Sequence, residues 1–116
     1  MTANKATVEK YMEAFNRLDH EMILSCLTDD VEWEAPGHYH HFGKEAFDRE
    51  IENDAFTGRP AISVSRVTEE DDVVIAEGSV KCSLKDGTML NIRFCDVFEM
   101  HEAKIKKLVS YLAVMP

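Results

Sequence analysis

The chain has 116 residues, 22 of them acidic and 13 basic, for a formal net charge of −9. That balance excludes nucleic acid as an expected partner, because such binding depends on Lys and Arg meeting phosphates, and it gives no attraction to an anionic membrane. With 45% hydrophobic and 30% charged residues, the composition is that of an ordinary globular protein, and the length predicts one domain over residues 1–116 with a modest core.

The first thirty residues hold no long apolar run, so neither a signal peptide nor a transmembrane span is expected. Cys26, Cys82 and Cys95 are an odd set without zinc-type spacing, which reads as reduced thiols in a cytoplasmic protein.

In chain order, Thr7 to Leu18 places Val8, Tyr11, Met12, Phe15 and Leu18 at helical spacing, an amphipathic helix with Tyr11 inside its buried stripe. A buried tyrosine hydroxyl usually needs a polar partner. Asp19 is an N-cap for a second short helix carrying Met22, Ile23, Cys26 and Leu27. Val31 to Ala35 alternates as a short strand stopped by Pro36-Gly37, a loop covers His38 to Phe42, and Gly43 to Ile51 returns to helical spacing.

From Pro60 the pattern becomes β. Ala61 to Thr68, Val73 to Lys85, Leu90 to Met100 and Lys104 to Val114 read as strands, joined by turns at Glu69 to Asp72, Asp86-Gly87 and His101 to Ala103. Helices followed by an antiparallel meander define an α+β fold.

Within Leu90 to Met100, the even positions are Leu90, Ile92, Phe94, Asp96, Phe98 and Met100. A lone acid in an apolar register is paired, protonated, or set at the wall of a cavity, since an isolated buried carboxylate is very costly. Asp-Gly is the favoured dipeptide of a two-residue type I′ turn. That turn would set Glu77 opposite Asp96 on one face, two carboxylates whose repulsion is relieved by a shared proton or a cation. One β-bulge would separate them. The same register leaves Val74, Ala76, Val80, Cys82, Leu84, Cys95 and Val97 on the other face, apolar enough to predict a homodimer through the sheet's outer side.

Val8-Glu9-Lys10-Tyr11-Met12-Glu13-Ala14-Phe15-Asn16, Leu27 to Gly37, and Phe42-Gly43-Lys44-Glu45-Ala46 resemble the nuclear transport factor 2-like superfamily. The nearest branch is the SnoaL-like group, which holds polyketide cyclases, beside the ketosteroid isomerases. The resemblance spans nearly the whole chain. It implies a cone-shaped, curved antiparallel sheet wrapping the N-terminal helices, an apolar pocket at one end, and dimerisation through the outer sheet face. In the isomerases a first-helix tyrosine and a protonated aspartic acid on a central strand form an oxyanion hole; Tyr11 and Asp96 fall at those positions. The isomerases' general-base aspartate precedes the proline of the first strand, where this chain has Ala35. Glu34 has the opposite strand parity, and the Arg-x-Asp arrangement of epoxide hydrolases of this fold is missing, since Arg93 lies three residues before Asp96.

Three histidines at 38, 40 and 41 could suggest a metal, but ligands from one loop rarely enclose a cation without a carboxylate. A polar rim at a pocket mouth is the better reading, with His38 and His40 as ligand contacts or an acid–base group. Phe15, Trp33, Phe47, Phe98 and Leu112 would line the cavity. Ser79 and Ser110 lack a nucleophile's partners, and no cofactor is called for.

The sequence therefore predicts acid–base chemistry on a small, largely apolar carbonyl or enol compound, of isomerase or cyclase type. Asp96 would act as acid or base, Tyr11 as oxyanion donor and Glu77 as the group that perturbs Asp96. The alternative is a non-catalytic module that binds a small hydrophobic ligand or serves as a dimeric interaction unit.

Overall fold

The computed structural model describes residues 1–116. Helix α1 spans Ala3–Asn16, four residues earlier than the apolar spacing predicts, because Thr2 caps it by accepting the Lys5 amide. Its far end is fixed by Asn16, whose side chain accepts from the amide of Ile62 and donates to its carbonyl, as a neighbouring strand would. Helix α2 (His20–Ser25) is capped by Asp19 as expected, but Cys26 ends it and Leu27 already begins β1 (Leu27–Ala35).

The stretch read as a histidine loop is in fact a strand, β2 (Tyr39–Phe42), which folds back on β1 with Trp33 opposite His41 and Glu34 opposite His40. Helix α3 (Lys44–Ile51) follows. Strand β3 runs from Phe56 to Glu70, beginning earlier than Pro60 because the chain passes that proline through a register shift on the sheet's edge. Strands β4 (Val73–Leu84), β5 (Met89–His101) and β6 (Lys104–Met115) complete a six-stranded sheet of order β2-β1-β6-β5-β4-β3. All neighbours are antiparallel except β1 and β6.

The three hairpins of the meander invert the usual sequence rule. Asp71-Asp72 and Glu102-Ala103 form two-residue turns with both residues at positive φ, between Glu70 and Val73 and between His101 and Lys104. At Asp86-Gly87 the loop has three residues instead: Gly87 N–H donates to Leu84 O, Leu84 N–H donates to Thr88 O, and only Gly87 has positive φ. This is a type I turn closed by a glycine bulge.

That one extra residue moves the register by one. Ala76 lies opposite Asp96, and Glu77 lies opposite Cys95. Val74, Ala76, Val80 and Cys82 therefore share the face of Asp96, where Val74 and Ala76 are fully buried. The expected all-apolar outer face does not exist. Glu77, Ser79 and Arg93 alternate there with Ile75, Cys95 and Val97.

The inner face of the curved sheet packs on the helices. Val8, Ile23, Val31, Phe47, Phe98, Ile105 and Leu108 are among the fully enclosed residues of the core. None of the helices is long and apolar enough to cross a membrane.

Candidate functional site

A cavity of about 660 Å³ opens between the inner sheet face, α1 and the segment after α3. That volume is in the range of small-molecule sites. Its deep end is built from four elements. Tyr11 comes from α1, Trp33 from β1, Asp96 from β5 and Ser110 from β6, all buried and all on the wall.

Asp96 lies directly opposite Ser110 in the β5–β6 ladder. Trp33 Nε1–H donates to Ser110 Oγ at 3.1 Å, so the serine's own proton is free to point elsewhere. Asp96 Oδ1 is buried and has no hydrogen-bond partner. Burial pushes this carboxyl up from its ordinary 3.8 to about 7, with the Ser110 hydroxyl pulling modestly the other way. A carboxyl so placed is protonated for part of the time at neutral pH and can give or take a proton.

The Tyr11 phenol is held well above its ordinary pKa, first by burial and then by the negative charge of Asp96. It therefore stays a hydrogen-bond donor. Its ring packs edge-on against Phe98 and Phe47, at centroid distances of 5.6 and 6.2 Å. Behind the wall, Trp33 stacks on Phe47 at 4.3 Å.

The expected ligand contacts divide by depth. Phe15, Trp33, His38 and Leu112 line the cavity. Phe47 and Phe98 do not: both are fully buried and form the bed on which Trp33 and Tyr11 rest. His40 also leaves the site, because β2 is a strand and its parity turns His40 outward to Glu32, 2.6 Å away. His41, one residue on, reaches Glu50 at 2.8 Å and stacks on Tyr39. The three histidines thus diverge, and no group of three or more His, Cys, Asp or Glu side chains is placed to hold a metal ion.

Glu77 is the clear correction. It faces away from Asp96 and accepts three hydrogen bonds from the Arg66 guanidinium, the shortest 2.7 Å, on the exposed outer face. Burial, not a second carboxylate, raises the pKa of Asp96.

Tyr39 and Glu50 are wall residues that the sequence patterns do not mark. Tyr39 packs edge-on against Trp33 at 5.2 Å, and its phenol is raised by burial and by Glu50. Reading Tyr-His-His-Phe as an alternating strand would have found it. Glu50, at the end of α3, has a side chain only 14% exposed and is held by both His41 and Asn53. Helical spacing gave no sign of it.

A curved sheet wrapped on three helices, with a cavity at its inner face, is the architecture of the nuclear transport factor 2-like proteins. Residues 8–108 match the SnoaL-like domain, and the chain belongs to that family. Among solved structures it is similar to a nuclear transport factor 2-like protein of unknown function from Burkholderia pseudomallei (TM-score 0.87, 20% identity, covering 97% of this chain and 92% of that one). A putative polyketide cyclase from Xanthomonas campestris pv. campestris matches with TM-score 0.84 and 24% identity, over 94% and 89% of the two chains. An epoxide hydrolase of M. tuberculosis, described as LEH-like, matches with TM-score 0.84 and 17% identity, over 96% and 83%. At these identities the likeness is one of fold. No curated protein matches the sequence.

Proposed function

We propose that the chain is an acid–base enzyme that moves a proton at carbon in a small, largely apolar carbonyl or enol compound, as an isomerase or cyclase does. The observation that carries this reading is Asp96: a buried carboxyl on the cavity wall, with one oxygen unpartnered and a pKa near 7. Asp96 exchanges the proton, and the Tyr11 hydroxyl donates to the oxygen on which charge develops. Ser110, anchored by Trp33, orients the carboxyl. Pairing of two copies through the outer sheet face is supported by half-exposed Tyr111 beside Val97 and Val109, and light scattering tests it.

The test is hydrogen–deuterium exchange at the α-carbon of 2-tetralone, an enolisable apolar ketone, followed by NMR. The protein is expected to accelerate exchange over buffer, with Asp96→Asn slower by roughly a hundredfold and Tyr11→Phe by roughly ten- to a hundredfold. Exchange that is unchanged in Asp96→Asn removes the reading. A binding module without turnover is favoured by one observation: Ala35, before Pro36, is fully buried, and no acid of the first strand lines the cavity as a second carboxylate. It would bind tetralone without accelerating exchange.

A further inference from the structure

The cavity wall is chemically one-sided in charge. Its 24 residues include Asp96, Glu50 and Glu52, and not one lysine or arginine. Arg59 lies between wall residues Gly58 and Pro60 but is itself exposed and not part of the wall. A net charge of −9 adds a negative field around the whole molecule. An anionic ligand entering this cavity would lose hydration and meet Glu50, Glu52 and Asp96, with no Lys or Arg on the wall to offset the loss.

The two ends of the cavity also differ. The deep end offers Tyr11, Ser110 and Asp96, groups that fit a carbonyl or hydroxyl. Glu50 stands on another part of the wall. His41 fixes one of its oxygens at 2.8 Å and Asn53 the other at 2.9 Å. A carboxylate oxygen accepts more than one hydrogen bond, so Glu50 is immobilised and still able to accept. The Tyr39 ring lies close enough to feel its charge, and aromatic faces attract cations.

From this wall we infer that the cavity selects its ligand by charge: it takes an apolar body carrying a basic nitrogen, with the protonated amine held by Glu50 beside Tyr39, and it rejects anionic compounds of the same shape. The inference rests on the cavity being a ligand site. It does not depend on turnover, so it stands or falls separately from proton exchange on tetralone. The substrate class it adds is an amino-ketone or amino-enol, whose oxygen meets Asp96 and Tyr11.

The test compares 4-phenylbutylamine, 4-phenylbutanol and 4-phenylbutyrate, alike in body and different in charge, by calorimetry near pH 8. Trp33 is the only tryptophan of the chain and lines the cavity, so its fluorescence is a second readout. The amine is expected to bind about tenfold or more tighter than the alcohol, and the carboxylate about tenfold or more weaker. In Glu50→Gln the gap between amine and alcohol closes; in Asp96→Asn the gap persists. The inference is overturned if the carboxylate binds as well as the alcohol, if the amine gains nothing over the alcohol, or if none of the three binds. It is equally overturned if the gap survives Glu50→Gln. Should that variant lose the alcohol as well, the ranking of the three probes on the unmodified protein decides.

Discussion

The indole of Trp33 reaches from β1 to Ser110 on β6, Nε1 to Oγ 3.1 Å, two residues beyond its own ladder partner Leu108. This bond sits beside the only buried side-chain nitrogen or oxygen that has no hydrogen-bond partner, Asp96 Oδ1. Through Ser110 it links the surroundings of the Asp96 carboxyl on β5 to the packing of β1, two strands away in the sheet. Ser110→Ala leaves the buried indole N–H unsatisfied, at a cost of about 1–3 kcal/mol in unfolding free energy. It also removes the group that lowers the Asp96 pKa. A carboxyl titration by carbon-detected NMR is therefore expected to find Asp96 titrating higher in the variant, and an unchanged midpoint would show that the serine does not touch the carboxyl.

Asp96 makes the stability of the protein depend on pH in a definite direction. Its folded pKa of about 7 lies above the ordinary 3.8. Below about pH 4 both states hold the proton and nothing is lost. Between about 4 and 7 the unfolded chain releases it while the folded chain keeps it, so stability from this group falls as pH rises and levels off above about 7. The full difference is on the order of 4 kcal/mol. Asp96→Asn is expected to raise the unfolding midpoint in urea more at pH 8 than at pH 4. A gain that is equal at both values would mean Asp96 is not buried as described.

Glu77 offers the contrasting case. It is ion-paired with Arg66 on the outer face, with both side chains substantially exposed. Glu77→Gln is expected to leave the Asp96 titration where it was and to change stability by less than about 1 kcal/mol. A drop in the Asp96 midpoint in this variant would restore the two-residue hairpin register and reject the one described.

Gly78 has no positive φ to require it; space does. A methyl group added there would lie 2.2 Å from the carbonyl oxygen of Ser63 and 2.8 Å from the tip of the Phe94 ring. The first contact is backbone of the paired strand β3, just before the register shift between Val64 and Arg66, so it cannot swing away. Phe94 lines the cavity. Gly78→Ala is expected to destabilise by about 1–3 kcal/mol and to weaken binding of 4-phenylbutanol. Full retention of both would mean that β3 can move aside.

The order of elements other than β2, the class of fold and the burial of Asp96 were legible because each rests on periodicity within a single element. Parity along Leu90 to Met100 needs no partner strand to be right. The relation of Glu77 to Asp96 was different in kind, because it depends on how many residues a turn uses. Asp86-Gly87 suits a two-residue I′ turn and equally a type I turn with glycine in the bulge, and nothing local separates them. The other two hairpins took positive φ at Asp71, Asp72, Glu102 and Ala103 without a glycine among them, so strand pairing there overrode residue preference. His40 was misplaced for a related reason: four residues between a Pro-Gly turn and a helix read as loop until β1 provides an edge for them. Glu50 could not be read at all, since an acid late in an exposed helix looks solvated until the sheet curls over it.

The last strand in the chain is not the last in the sheet. Strand β6 lies between β1 and β5, and β1 and β5 touch no strand that would join them without it. A lengthening chain can pair β3 with β4 and β4 with β5 as each hairpin appears, and β1 with β2. The two halves remain separate until residues 104–115 arrive. The bond from Trp33 to Ser110 spans 77 residues, and Asp96 gains its pocket wall at the same moment. Joining of the two half-sheets and enclosure of the Asp96 carboxyl are one late event, paid in the loop entropy of distant contacts. A ribosome-stalled chain ending before Lys104 would carry Asp96 on an uncovered sheet, with an ordinary pKa and no cavity around it.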